Sequence, residues 1–230
     1  MTVSWIAGTP RALILALGLA LTAGAAAAQP SAPIPDGMPE SATPGAGPST
    51  NDTLVPGDRG FRPQSPADEV KMREARLDTL FARLAEKDAN WQRVQEEIWR
   101  TWTQSGSHSM DFLLKRADEA MQKGEAEEAL RFLGDLVRLA PDFAEGWNKR
   151  ATVHFSLGNY GQSLADIERT LALEPRHFGA LTGLGMIFER SGDNPAAYEA
   201  YSRALEIHPN LEHASKAVER LRPEVEGREL

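Results

Sequence analysis

The 230-residue sequence predicts an all-α fold, a solenoid of stacked antiparallel helix pairs, on three observations. A block of 34 residues recurs three times without a gap between Met110 and Leu211. Within each block the apolar residues fall at the spacing of a helix face. Composition agrees, with abundant Ala and Leu, only 7% aromatic residues and no cysteine. The same numbers exclude some functions. A formal net charge of −8 does not provide the basic surface that a phosphate backbone requires. Without cysteine there is no disulfide, no thiolate chemistry and no thiolate-bound metal.

The N-terminus has the layout of a secretory signal peptide over residues 1–28. Arg11 is its one charge, Ala12–Leu21 is an apolar core, and Ala26-Ala27-Ala28 offers small residues before a cut at Gln29. The apolar core is shorter than the roughly 20 residues a membrane span needs. Cleavage removes only Arg11 among the charges and leaves a net charge of −9. Export by a Sec-type route to a periplasm is the expectation. Residues 29–68 follow as a tether, nine of the forty being Pro, with almost no apolar periodicity and too little apolar surface to offset ordering.

Helical spacing begins beyond Pro66. Leu77, Leu80, Phe81 and Leu84 form one stripe, and Trp91, Val94, Ile98 and Trp102 a second. Asp88-Ala89-Asn90 breaks the two, so residues 69–109 are expected to form a helical hairpin. Trp91, Trp99 and Trp102 are either core or a second binding surface.

The repeat proper occupies 110–143, 144–177 and 178–211. Pro141, Pro175 and Pro209 share one column; Gly124, Gly158 and Gly192 another; Leu113, Trp147 and Leu181 a third. Small residues recur at Ala117, Ala151 and Gly185, then at Ala129, Ser163 and Ala197; apolar ones recur at Leu139, Leu173 and Ile207. Glycine lets the chain reverse after a first helix. Small residues let two helices cross closely. Proline cannot continue the second helix. One hairpin cannot bury its own apolar face, whereas stacked neighbours can. A capping helix over 212–222, ended by Pro223, and a tail over 223–230 complete the reading.

These columns resemble the tetratricopeptide repeat (TPR), 34 residues long with a Trp-x-x-Leu-Gly-x-x-Tyr opening, a later small residue and a closing Pro. The third copy is nearest, with Leu184-Gly185 and Phe188 in place. Arg116 and Arg150 replace the Leu, Ala120 and His154 the aromatic, and Leu136 and Thr170 the usual Ala, which suggests looser packing in the first two copies. The hairpin of 69–109 looks like a degenerate fourth copy stacked ahead of them. The resemblance implies a right-handed superhelix and a partner bound along an inner, concave wall.

By resemblance that wall is lined by Asp111, Leu114, Asp118 and Met121, by Glu145, Asn148, Thr152 and Phe155, and by Gly179, Thr182, Met186 and Glu189. Met121, Phe155 and Met186 would supply adaptable apolar contacts. Asp111, Asp118, Glu145 and Glu189 would favour a protein or peptide partner with basic or amide groups. The places of the family's carboxylate clamp carry Leu114, Asp118, Lys149, Gly179 and Gly183, of which only Lys149 fits. Gly179 and Gly183 share one helix face and weaken it; they either leave the wall bare for a ligand backbone, or are tolerated defects or the place of a close neighbouring helix.

No catalytic constellation is legible. No nucleophile elbow, phosphate loop or His-x-x-x-His pair occurs, and no cofactor or metal is expected. A non-catalytic protein-binding adaptor or scaffold of the cell envelope is the first expectation. A structural subunit of an envelope complex that uses outer or terminal surfaces, or a binder of a cell-wall or lipid fragment, is the alternative.

Overall fold

The structure, a computed structural model, describes residues 66–86 and 90–227. The expected signal peptide, the Pro-rich stretch up to residue 65, Asp88-Ala89 and the last three residues lie outside that range. Among the described residues there are nine α-helices and no strand. They are α1 (Pro66–Leu84), α2 (Trp91–Trp102), α3 (His108–Gln122), α4 (Ala126–Leu139), α5 (Ala144–Ser156), α6 (Tyr160–Leu173), α7 (Phe178–Ser191), α8 (Asn194–Ile207) and α9 (Glu212–Glu226).

Helices α3–α4, α5–α6 and α7–α8 are the three repeated hairpins, and α9 packs on α8. Gly124, Gly158 and Gly192 close the first helix of each hairpin at φ of 73°, 75° and 78°, a region that strains any residue with a Cβ. Pro141, Pro175 and Pro209 each stand two residues beyond the last residue of α4, α6 and α8. The small-residue column sits where helices cross: a Cβ on Gly185 would lie 2.7 Å from the Tyr201 ring. Ser163 is fully buried, and its hydroxyl donates to the Ala151 carbonyl at 2.8 Å, which removes the cost of burying it.

Three of the departures from the repeat pattern, Arg150, Leu136 and Thr170, are compensated, whereas His154 Nδ1 is buried without a hydrogen-bond partner. Arg150 makes two hydrogen bonds of 2.8 and 2.6 Å to the buried Asp166 carboxylate and lies over the Trp147 ring. Leu136, fully buried, fits because Gly146 faces it; a Cβ there would come within 3.2 Å of the Leu136 side chain. Thr170 turns its hydroxyl back to the Asp166 carbonyl at 2.9 Å.

Two expectations are corrected. Helix α9 runs through Pro223 to Glu226 instead of stopping at 222. Pro223 is exposed and in the last turn, so its ring and the carbonyl it leaves unpaired meet solvent. The first hairpin, α1–α2, is not a stacked fourth copy. The α2–α3 pair lacks the close packing that joins α4 to α5 and α6 to α7. Instead Leu77, Leu80, Phe81, Leu84, Val94, Ile98, Trp99 and Trp102 share one core with residues of α5 to α9, such as Phe155, Ile167, Phe178 and Leu181. The first repeat has its own core, around Leu114, Leu133, Leu136 and Phe143.

Candidate functional site

The first helices of the three repeats, α3, α5 and α7, carry every residue expected on the inner wall. Their surroundings sort them into three groups. At one end, Asp111 accepts from the Ser105 backbone N–H at 2.8 Å and from its hydroxyl at 2.6 Å, and so pins the loop ahead of α3. Leu114 is buried and Met121 half-buried, both in the first repeat's core. At the other end, Glu189 accepts from Tyr201 Oη at 2.8 Å and pairs with Arg220 at 2.7 Å, which ties α7 to α8 and α9. Burial and the Glu189 hydrogen bond push the Tyr201 phenol well above its ordinary range.

Between them lies the third group, a charged network with a buried centre and a partly exposed edge at Lys149 and Asp118. Glu145 is 1% exposed and Asn148 also 1%, and Asn148 Nδ2 donates to Glu145 Oε2 at 3.1 Å. His177, fully buried at the N-terminus of α7, meets the same oxygen through Nε2 at 3.0 Å. Its Nδ1 accepts from the Ala180 N–H at 3.1 Å, so the proton sits on Nε2 and the ring serves as a neutral donor. Lys149 reaches Asp118 at 2.9 Å and Glu145 at 4.0 Å. Burial works to lower the Lys149 pKa, yet Glu145 and Asp118 together hold it above its ordinary value. Burial raises the Asp118 carboxyl against the opposing pull of Lys149.

Lys149 is held by two carboxylates of its own chain and is no clamp for a partner's C-terminus. Asp111, Asp118, Glu145 and Glu189, expected to favour a partner with basic or amide groups, each have a donor or cation within the chain. Thr152 and Thr182 turn their hydroxyls to the Asn148 and Phe178 carbonyls. Phe155, expected as an open anchor, is buried 5.4 Å from the Tyr160 ring, and Met186 is buried too. What remains between α5 and α7, lined by Thr152, Phe155, Gly179, Gly183 and Met186 among others, is a cleft of about 20 Å³, room for a single water.

Sequence reasoning missed what covers the wall, which is α2. The Trp102 indole stacks on the His177 ring at 4.1 Å with 9° between planes. Trp99 meets His177 and Phe178 edge-on at 5.5 and 5.3 Å. A Cβ on Gly179 would lie 2.8 Å from Trp99 Cη2. Further along, Trp91 lies edge-on to His208 at 5.5 Å, and His208 Nε2 is 2.5 Å from Gln95 Oε1. Arg176 lies over the Phe81 ring of α1 and pairs with Asp78. The signals were present in the sequence as a Trp cluster legible as core and a glycine legible as the place of a close neighbouring helix, without a link between the two.

The tetratricopeptide repeat family model matches residues 114–161 and 148–212. A TPR repeat-containing protein of Rhizobium etli is 40% identical over 154 residues, 66% of this chain and 76% of that protein. The chain belongs to the tetratricopeptide repeat family, in general a non-catalytic, protein-interaction fold. The Hsp70-Hsp90 organizing protein of Triticum aestivum is 33% identical over 103 residues, 42% of this chain but only 18% of that protein. Among solved structures, the first TPR domain of Spaghetti bound to an HSP90 peptide superposes with a TM-score of 0.49 at 19% identity, over 50% of this chain and 92% of that one. Among the described residues no helix is long and apolar enough to cross a membrane.

Proposed function

We propose that this chain is an exported, non-catalytic adaptor of the cell envelope that binds a protein or extended peptide along the wall formed by α3, α5 and α7. The observation that carries the reading is that the α5–α7 part of this wall already holds polypeptide: Trp99 and Trp102 are seated on His177, Phe178 and Gly179. A surface that buries two indoles from a helix of its own chain has the shape and apolar character to bury those of another. Similarity to part of a protein named for organizing Hsp70 and Hsp90 supports a peptide ligand in general. Occupation of Lys149 argues against a ligand held by its terminal carboxylate. The N-terminal sequence supports export.

A second reading, a structural subunit that docks through an end of the stack, is favoured by one feature. Among the described residues α2 does not stack on α3, and Phe112 of the first repeat is 60% exposed.

In-cell photo-crosslinking separates the two. Cross-linkers are placed at Thr152 on the wall, at Phe112 on the end and at Glu168 on the outer helix α6. One partner identified at Thr152 and absent at the other sites supports the adaptor. Capture at Phe112 or Glu168 alone supports the subunit. Periplasmic fractionation of the same cells tests export; recovery of the uncleaved chain in the cytoplasm alone refutes it.

A further inference from the structure

We propose that α2 is an in-chain ligand of the α5–α7 wall, and that the partner recognised there is an amphipathic helix with two aromatic residues three positions apart, which binds by displacing α1–α2. This rests on the wall being the binding surface argued above, and it names both the class of partner and the gate.

The wall is complementary to such a helix. Trp91, Gln95, Trp99 and Trp102 lie along one stripe of α2, and each meets a residue of the repeats. Gly179 leaves α7 without a side chain where the Trp99 ring lies. His177 presents a flat ring to Trp102, oriented from behind by Glu145 and the Ala180 N–H. Phe178 meets both indoles, at 5.3 and 5.1 Å. This is recognition of a helix in a groove, with anchors one turn apart.

The docked state is also imperfect. The Nε1–H groups of Trp99 and Trp102 are buried with no acceptor. Buried polar groups left unmatched weaken a contact that its apolar area favours. The polar contacts of the hairpin with the repeats include the Arg176–Asp78 pair, partly exposed and so of small value, and the Gln95–His208 hydrogen bond. Departure of α1–α2 leaves the three hairpins and α9 in contact with one another and does not touch the separate core of the first repeat. A helix that brings two aromatic anchors without leaving their polar groups unmatched has the advantage over α2.

The probe is a fluorescent peptide of Asn90–Thr103, titrated by anisotropy into the whole chain and into the whole chain carrying Trp99→Ala and Trp102→Ala. Emptying the wall removes the fraction of molecules closed to the peptide, so the variant is expected to bind on the order of tenfold more tightly. The peptide carrying the same two alanines is expected to bind neither. Hydrogen exchange on the unmutated chain with saturating peptide needs no variant to fold: amides of α1 and α2 are expected to exchange faster while α5–α8 stay protected. Absence of peptide binding to either protein, equal affinity for both, or unchanged exchange of α1–α2 at saturation overturns the proposal. If Thr152 still captures a defined partner in those cases, the adaptor survives and only the exchange of helices fails. If peptide displaces α1–α2 yet Thr152 captures nothing, the adaptor reading is the one lost.

Discussion

Trp99 Cη2 lies 2.8 Å from where a Cβ on Gly179 would be, a separation that two carbon atoms do not tolerate. Gly179 is therefore a seat for an indole, across 80 positions of sequence. Gly179→Ala gains about 0.5–1 kcal/mol of helix propensity and loses about 1–3 kcal/mol to overpacking, a net loss of about 1 kcal/mol in urea unfolding. Tryptophan emission is expected to move to the red and to quench more readily, because Trp99 must leave its site.

Gly183 is expected to give the opposite sign. A Cβ there meets only Ile167 Cδ1 at 3.4 Å, an ordinary contact. Gly183→Ala should stabilise by about 0.5–1 kcal/mol, whereas Gly185→Ala, driven against the Tyr201 ring, should destabilise by about 1–3 kcal/mol. Thermal melts of the three alanine variants test the sorting together; a stable Gly185→Ala would show that α7 and α8 separate more easily than their packing implies.

The Asp118–Lys149–Glu145 network predicts a large loss when its cation goes. Lys149→Met leaves two carboxylates facing each other with little solvent, at a cost of about 3–5 kcal/mol. Replacing Asp118 in the same background should restore part of the loss, which a double-mutant cycle reads directly.

His208 predicts a pH dependence. Burial lowers its pKa from 6.5 to about 4. Above pH 6.5 the ring is neutral in folded and unfolded chains, and its contribution is complete. As pH falls from 6.5 toward 4 the unfolded chain takes up a proton that the folded one refuses, so stability drops. Between pH 7 and pH 4.5 the drop is about 2 kcal/mol. Its neighbours are Gln95, Trp91, Phe178 and the Asn210 N–H, none of which titrates in this range. Denaturation midpoints at pH 7 and pH 4.5, compared between the unmutated chain and His208→Asn, isolate this group from the carboxylates.

The stack was legible because a repeat states each contact three times. Gly124, Gly158 and Gly192 named the turns before their φ was known, and Ala117, Ala151 and Gly185 named the crossings. The wall residues were legible as positions but not as environments. Position on a helix says which way a residue points, and it does not say what lies opposite. Glu145 faces His177, 32 residues away, and Asp166 answers Arg150, 16 away. Neither partner occupies a repeat column.

By itself, the sequence determined the helices, their turns, the order of the three hairpins and the family, because these follow from local propensity and nearest-neighbour stacking. Only the tertiary structure decided where α1–α2 goes. The same stripe of Trp, Val and Ile could bury itself against α3 as another repeat or against α7 as an occupant. The choice rests on shape: a bare Gly179, a flat His177 ring held by a buried carboxylate, and the Phe178 ring that meets both indoles.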